Sequence, residues 1–158
     1  MTRDRRRSLC ASRAGFSMAE LLVVCAIFGI LASASVPFFL RYYQTAALRT
    51  ATEELASFLN QGRQIAIKVN QPVCTQTAAG SIRFRINGCA GTIWLGPNTD
   101  ASGNLKVPAG FTLGSSADPI FNYLGAATPA ATYTVTQATT GRTLRVTVAA
   151  TGRVLVVP

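Results

Sequence analysis

The run from Leu21 to Leu40 constrains the chain more than any other feature, because its twenty residues hold no charge and only Ser33, Ser35 and Pro37 interrupt its apolar character mildly. A helix of that length crosses the roughly 30 Å hydrocarbon core of a bilayer, so any fold must give this segment lipid or another apolar surface. Within the first fifteen residues, Arg3, Arg5, Arg6, Arg7 and Arg13 stand against Asp4 alone. A secretory signal would have a shorter apolar stretch ending at a small-residue cleavage site, whereas here Ala32-Ser33-Ala34 lies inside the run and more apolar residues follow. The expectation is a single span with a cytoplasmic N-terminus and the remainder exported. Export places Cys74 and Cys89 where disulfides form, while Cys10 stays in the leader and Cys25 in the span.

Glu20 stands at the start of this run, where an ionised carboxylate in hydrocarbon costs several kcal/mol or more unless it is paired or neutralised. One account is a flank residue that snorkels to the interface. Another follows if the chain is cut between Gly15 and Phe16, because Glu20 then becomes the fifth residue behind a free, positively charged amine. Within one helix the geometry for pairing is poor, but the Phe16 amine of one subunit can meet Glu20 of a neighbour when helices pack side by side. Burial of the carboxylate then tests axial register.

Beyond Pro37 the pattern turns amphipathic: Leu48, Ala51, Leu55, Phe58, Leu59, Ile65 and Ala66 fall near one helical face, with Arg49, Glu53 and Glu54 off it. The helix is expected to run to Val69, with Gly62 its weak point and Asn70-Gln71-Pro72 its stop, about 80 Å in all from Phe16. Alternation in Ser81–Ile86 followed by Asn87-Gly88 signals a strand and tight turn. Further strands are expected in TIWL, FTL, IFNYL, TYTVTQ, TLRVTVA and RVLVV, forming antiparallel sheet, with a terminal hairpin turning near Thr151-Gly152. Pro97 to Asn104 reads as an exposed turn rather than a calcium loop, since Asp100 is its one carboxylate.

The inventory for catalysis is thin. The chain has no His, and beyond residue 60 its carboxylates are Asp100 and Asp118. Lys68 and Lys106 lie in no recognisable motif, so no enzyme, cofactor or metal is expected. Cys74 and Cys89 are either a disulfide closing a β-rich loop or two reduced thiols packed as small apolar residues, and export favours the bond. Beyond residue 60, eight Lys/Arg face those two acids. That excess either attracts polyanions or is the solvated face of a half-exposed sheet, as the alternation of Arg83 and Arg85 with apolar neighbours illustrates. Trp94, Phe121 and Tyr123 serve a core as readily as they stack on bases.

The segment RAGFSMAELLVV resembles the class III signal of type IV prepilins and pseudopilins: basic leader, Gly15-Phe16, Glu20, and an apolar span carrying Pro37 as a helix-disturbing proline. The resemblance implies that prepilin peptidase cuts after Gly15 and methylates the Phe16 amine. It also implies that the apolar helix anchors the subunit before becoming the filament core. QGRQIAIKVNQPV and ATGRVLVV are similar to the helix end, first strand and final strand of the FimT/GspH group of minor pilins and pseudopilins. Members of that group linked to DNA uptake carry Gly-Arg-x-Arg near the C-terminus; this chain reads Gly152-Arg153-Val154-Leu155. Arg142 and Arg145, placed across the hairpin from Arg153, would restore a basic DNA-binding patch.

The expected fold is α+β, with a long N-terminal helix packed through its second half on a C-terminal antiparallel β domain. The expected divisions are a leader over 1–15, a membrane and filament-core helix over 16–40, an amphipathic half over 41–69 and a β-rich domain over 70–158. The expected function is a minor pilin or pseudopilin of a type IV pilus or a type II secretion pseudopilus. Its expected partners are other subunits, prepilin peptidase, inner-membrane assembly machinery and the membrane, with DNA a further candidate. The rival is a single-span membrane-anchored binding protein that never polymerises.

Overall fold

A computed structural model describes residues 15–78 and 80–157; the basic leader residues before Gly15, with Cys10, lie outside the described residues. Helix α1 runs Met18–Val69, 52 residues. The chain divides between Tyr42 and Tyr43 into two units.

In the first unit, α1 starts after Ser17, whose carbonyl accepts from Leu21 N at 3.1 Å. Ser17 and Glu20 thus stand at the N-cap and third helical positions, the spacing of a capping box. The carboxylate also lies at the positive end of the helix dipole. The helical assignment continues through Pro37. Proline has no N–H to offer the carbonyl one turn back. Just before it, the hydroxyls of Ser33 and Ser35 donate to Ile30 O at 2.8 Å and Leu31 O at 2.7 Å.

In the second unit, the rest of α1 buries Leu48, Ala51, Thr52, Leu55, Phe58, Leu59, Gly62, Ile65 and Ala66, a stripe at three- and four-residue spacing. Buried Thr52 satisfies its hydroxyl within the helix by donating to Leu48 O at 2.8 Å. The helix ends as a Schellman turn: Asn70 takes the left-handed conformation with φ 54°, and Gln71 N donates back to Ala66 O at 3.3 Å. Pro72 then prevents a further turn.

All strand pairings are antiparallel. In the first sheet β1 (Val73–Ala78) lies between β2 (Ser81–Ile86) and β6 (Ile120–Phe121), and β6 continues to β7 (Ala127–Thr128). The far edge of β2 is shared by two short strands, β3 (Thr92–Ile93) at the Ile86 end and β4 (Asn104–Lys106) at the Ser81 end. The second sheet has the order β10-β9-β8-β5, from β5 (Phe111–Ser115), β8 (Ala131–Gln137), β9 (Thr143–Val148) and β10 (Val154–Val157). Asn87 and Gly88 both have positive φ, 68° and 84°, in the turn leaving β2.

TIWL and IFNYL form strands at least two residues shorter than expected, and β1, β4 and β7 lie outside the strands read from the residue pattern. TIWL contributes only Thr92–Ile93, and beyond it Trp94 N still donates to Phe84 O at 3.0 Å. IFNYL contributes only Ile120–Phe121, because Asn122 Oδ1 accepts from Leu124 N and Ala126 N and folds the chain into a loop. Strands β4 and β7 are three and two residues long and carry no alternation that a sequence pattern can register.

The core lies between the α1 stripe and the inner faces of the sheets, around Leu59, Phe58, Phe84, Ile82, Val135 and Val146. Phe58 stacks on Phe84 with ring centroids 4.4 Å apart, and Trp94 meets the same ring at 6.0 Å. Gly62 is where this stack touches the helix: a Cβ there would stand 2.5 Å from a Phe84 ring carbon. The glycine expected to weaken the helix is therefore the gap into which the Phe84 ring fits. Tyr133 is wholly buried in the same interior, and burial pushes its phenol up from the ordinary value.

Candidate assembly segment

Gly15, Phe16 and Ser17 precede the helix and are exposed, and a side chain at Gly15 would meet open space. Phe16 is 78% exposed. Glu20 is exposed on the first turn of α1. The Gly15–Phe16 peptide bond therefore lies outside the helix and two residues ahead of Met18, so breaking it leaves every helical hydrogen bond intact.

From Met18 to Tyr42 no residue of α1 is buried. Leu22, Phe28, Ile30, Phe38 and Phe39 are each about two thirds or more exposed, at 70, 67, 70, 78 and 67%. The most apolar eighteen-residue window has a mean hydropathy of 2.4, enough in length and composition to cross a bilayer. An apolar face of this extent marks contact with lipid or protein. Because the helix is apolar all round rather than striped, it suits lipid on every side or a position surrounded by other helices.

In the second unit, a disulfide joins Cys74 on β1 to Cys89 in the loop after β2, fifteen residues apart, with Cα atoms separated by 5.0 Å. Asp100 organises the loop expected over residues 97–104: its Oδ1 accepts from Ser102 N at 2.8 Å and Asn104 N at 2.9 Å. Among the described residues no three His, Cys, Asp or Glu side chains are grouped as a metal site.

The three arginines expected to share a patch do not lie across the hairpin from one another. Arg145 on β9 pairs with Val157, whereas Arg153 closes the turn at the opposite end, its carbonyl accepting from Ala149 N at 2.9 Å. Four residues of strand, about 13 Å, separate the two levels. Arg142 precedes β9 and donates to Thr45 Oγ1 on α1 at 2.7 Å. The sequence lacks the hairpin register, and register decides which side chains meet. What it missed at the other end was Ser17, legible as Ser-x-x-Glu ahead of an apolar run.

The prokaryotic N-terminal methylation motif matches residues 10–36. No curated protein matched the chain in sequence. Among solved structures, the fold is similar to that of the type IV minor pilin FimU of Pseudomonas aeruginosa, at 19% identity and a TM-score of 0.56, over 74% of this chain and 92% of that one. It is similar also to the minor pseudopilin EpsH of the type 2 secretion system of Vibrio cholerae, at 13% identity and a TM-score of 0.56, over 70% of this chain and 95% of that one. The molecule thus joins a type IV prepilin motif to the α+β fold shared by minor pilins and minor pseudopilins. It is a membrane-anchored protein with a globular domain, and its likeness to a pilus subunit and to a secretion subunit is equal in TM-score.

Proposed function

We propose that the chain is a minor pilin or pseudopilin: a structural, non-enzymatic subunit that enters or primes a type IV pilus-like filament. Prepilin peptidase cuts between Gly15 and Phe16 and methylates the new amine. Residues 16–40 hold the subunit in the inner membrane with its N-terminus cytoplasmic, and the domain over 70–158 is periplasmic. Inner-membrane machinery then draws the helix out of lipid and packs it against other subunits. The observation that carries this reading is the wholly exposed apolar helix, fronted by an accessible Gly15–Phe16 bond and an exposed carboxylate at Glu20. A subunit that stays in lipid needs the helix but gains nothing from a carboxylate at its head. A subunit that must stop at one axial position gains a register mark, because Glu20 is neutralised only when it meets a neighbour's Phe16 amine. Pro37 gives the helix one point of local yielding for that packing.

The test begins with N-terminal sequencing and intact mass of the protein from cell envelopes. N-methylated Phe16 is the expected terminus, and an intact leader sinks the proposal. Glu20→Ala is expected to be processed normally and to be lost from sheared filaments; normal incorporation of that variant ends the register argument. Subunits that co-purify with the wild-type protein, pilus or secretion, separate the two machines.

A further inference from the structure

The outer face of the first sheet carries two guanidinium groups in a built setting. Arg83 and Arg85 are two apart on β2, so they share one face with their Cα atoms about 6.6 Å from each other. Between them stands Gln76 of β1, which pairs with Arg83 in the register. Its Oε1 accepts from Arg83 Nε at 3.0 Å and from Arg85 Nε at 2.8 Å, and its Nε2 donates to Cys89 O at 3.1 Å. Arg85 also donates through Nη1 to Gly91 O at 2.8 Å. The amide orientation follows from these partners, since the reverse would set an NH2 group against two N–H donors.

Both arginines are half-buried, and neither pairs with a carboxylate among the described residues. Their shared partner is a neutral oxygen, which orients two positive charges without neutralising either. Side-chain ordering and charge repulsion are therefore both already incurred, while Arg83 keeps both terminal nitrogens and Arg85 keeps Nη2 for an incoming acceptor. The disulfide has a part in this, because the carbonyls that fix Gln76 and Arg85 belong to Cys89 and Gly91, in the loop the Cys74–Cys89 bond ties down.

We propose that Arg83 and Arg85, set by Gln76 and the disulfide-tied loop, form a binding site for a phosphate group. A carboxylate brings one charge and two oxygens, leaving one guanidinium uncompensated; a phosphate dianion brings enough charge and enough oxygens for both forks. The phosphate comes either free or as the terminal monoester of an oligonucleotide, since an internal phosphodiester, like a carboxylate, brings one charge and two free oxygens. The site uses no residue of α1 and is separate from Arg142, Arg145 and Arg153.

The experiment uses the full chain in a phosphate-free, non-ionic detergent. Inorganic phosphate is titrated by calorimetry, and a mixed-sequence single-stranded oligonucleotide, with and without a 5′-terminal phosphate, by fluorescence anisotropy. Arg83→Gln with Arg85→Gln is expected to weaken phosphate about tenfold or more, while Arg142→Gln, Arg145→Gln and Arg153→Gln together change it less than about twofold. Gln76→Glu is the second variant: it sets a carboxylate between the guanidiniums, which favours folding, and is expected to lose phosphate binding too. If the 5′-phosphorylated oligonucleotide follows the same variants and the same strand without that phosphate does not, the phosphate is a terminal monoester; an equal response of both strands overturns the proposal. If phosphate follows them and the oligonucleotide does not, the ligand is a free phosphate. Absence of phosphate binding by the wild type, equal binding by the Arg83/Arg85 variant, an equal loss in the triple variant, or displacement of phosphate by polyglutamate at matched charge overturns the proposal.

Discussion

The two halves of α1 share one backbone geometry and differ in everything that surrounds it. From Met18 to Tyr42 no residue is buried, whereas from Tyr43 to Val69 nine are. The second half is held by the sheets, so its apolar stripe contributes to the stability of the domain to which it belongs. The first half is apolar on all sides, so its surroundings must be supplied from outside the chain. Substitutions in the two halves should accordingly be read by different instruments: domain unfolding reports on one, membrane retention and filament entry on the other.

Four substitutions probe that contrast, taken by the size of their expected effect on domain stability in denaturant titrations. Phe84→Ala removes the ring that stacks on Phe58 and fills the space at Gly62, and should cost about 3–5 kcal/mol. Replacing Cys74 and Cys89 together by Ser opens a loop of fifteen residues and should cost about 3 kcal/mol, an effect that vanishes if wild type and variant are compared under reducing conditions. Gly62→Ala gains about 1 kcal/mol of helix propensity but drives a methyl group into a ring fixed by Phe58 and Trp94, so overpacking of about 1–3 kcal/mol prevails. A more stable Gly62→Ala variant would show that the Phe84 ring gives way. Phe28→Ala, on the first half, should stay within about 0.5 kcal/mol of wild type while altering detergent extraction or incorporation; a large loss of domain stability would break the division between the halves.

Much of this division was legible in the sequence because it rests on local pattern. An uncharged run of twenty residues, a carboxylate at its head and a three-and-four stripe beginning at Leu48 each lie in one short window. The end of the helix was equally local, with Asn70 and Pro72 two residues apart. The features that escaped depend on what crosses between strands. Gly62 reads as a weak helix residue until Phe84 is seen to occupy the space beside it. Gln76 reads as an ordinary polar strand residue until the β1–β2 register sets it against Arg83 and within reach of Arg85. The arginines near the C-terminus illustrate the reverse, an apparent cluster that the hairpin register disperses.

The split edge of β2 bears on how a domain of this shape can be altered without being undone. Strand β3 covers one end of that edge and β4 the other, and the chain between them, residues 94 to 103, leaves and rejoins the sheet on the same border. Trp94 and Asp100 secure the two flanks of this excursion, while Ala101 and Ser102 at its crest are exposed. Extra residues at the crest would cost the local bonds from Ser102 N and Gly103 N to Asp100 but would lengthen the detour without shifting any strand against its neighbour. A small epitope or a dye-accepting tag inserted between Ala101 and Ser102 would therefore ride on a folded domain, offering a handle for following single molecules in living cells.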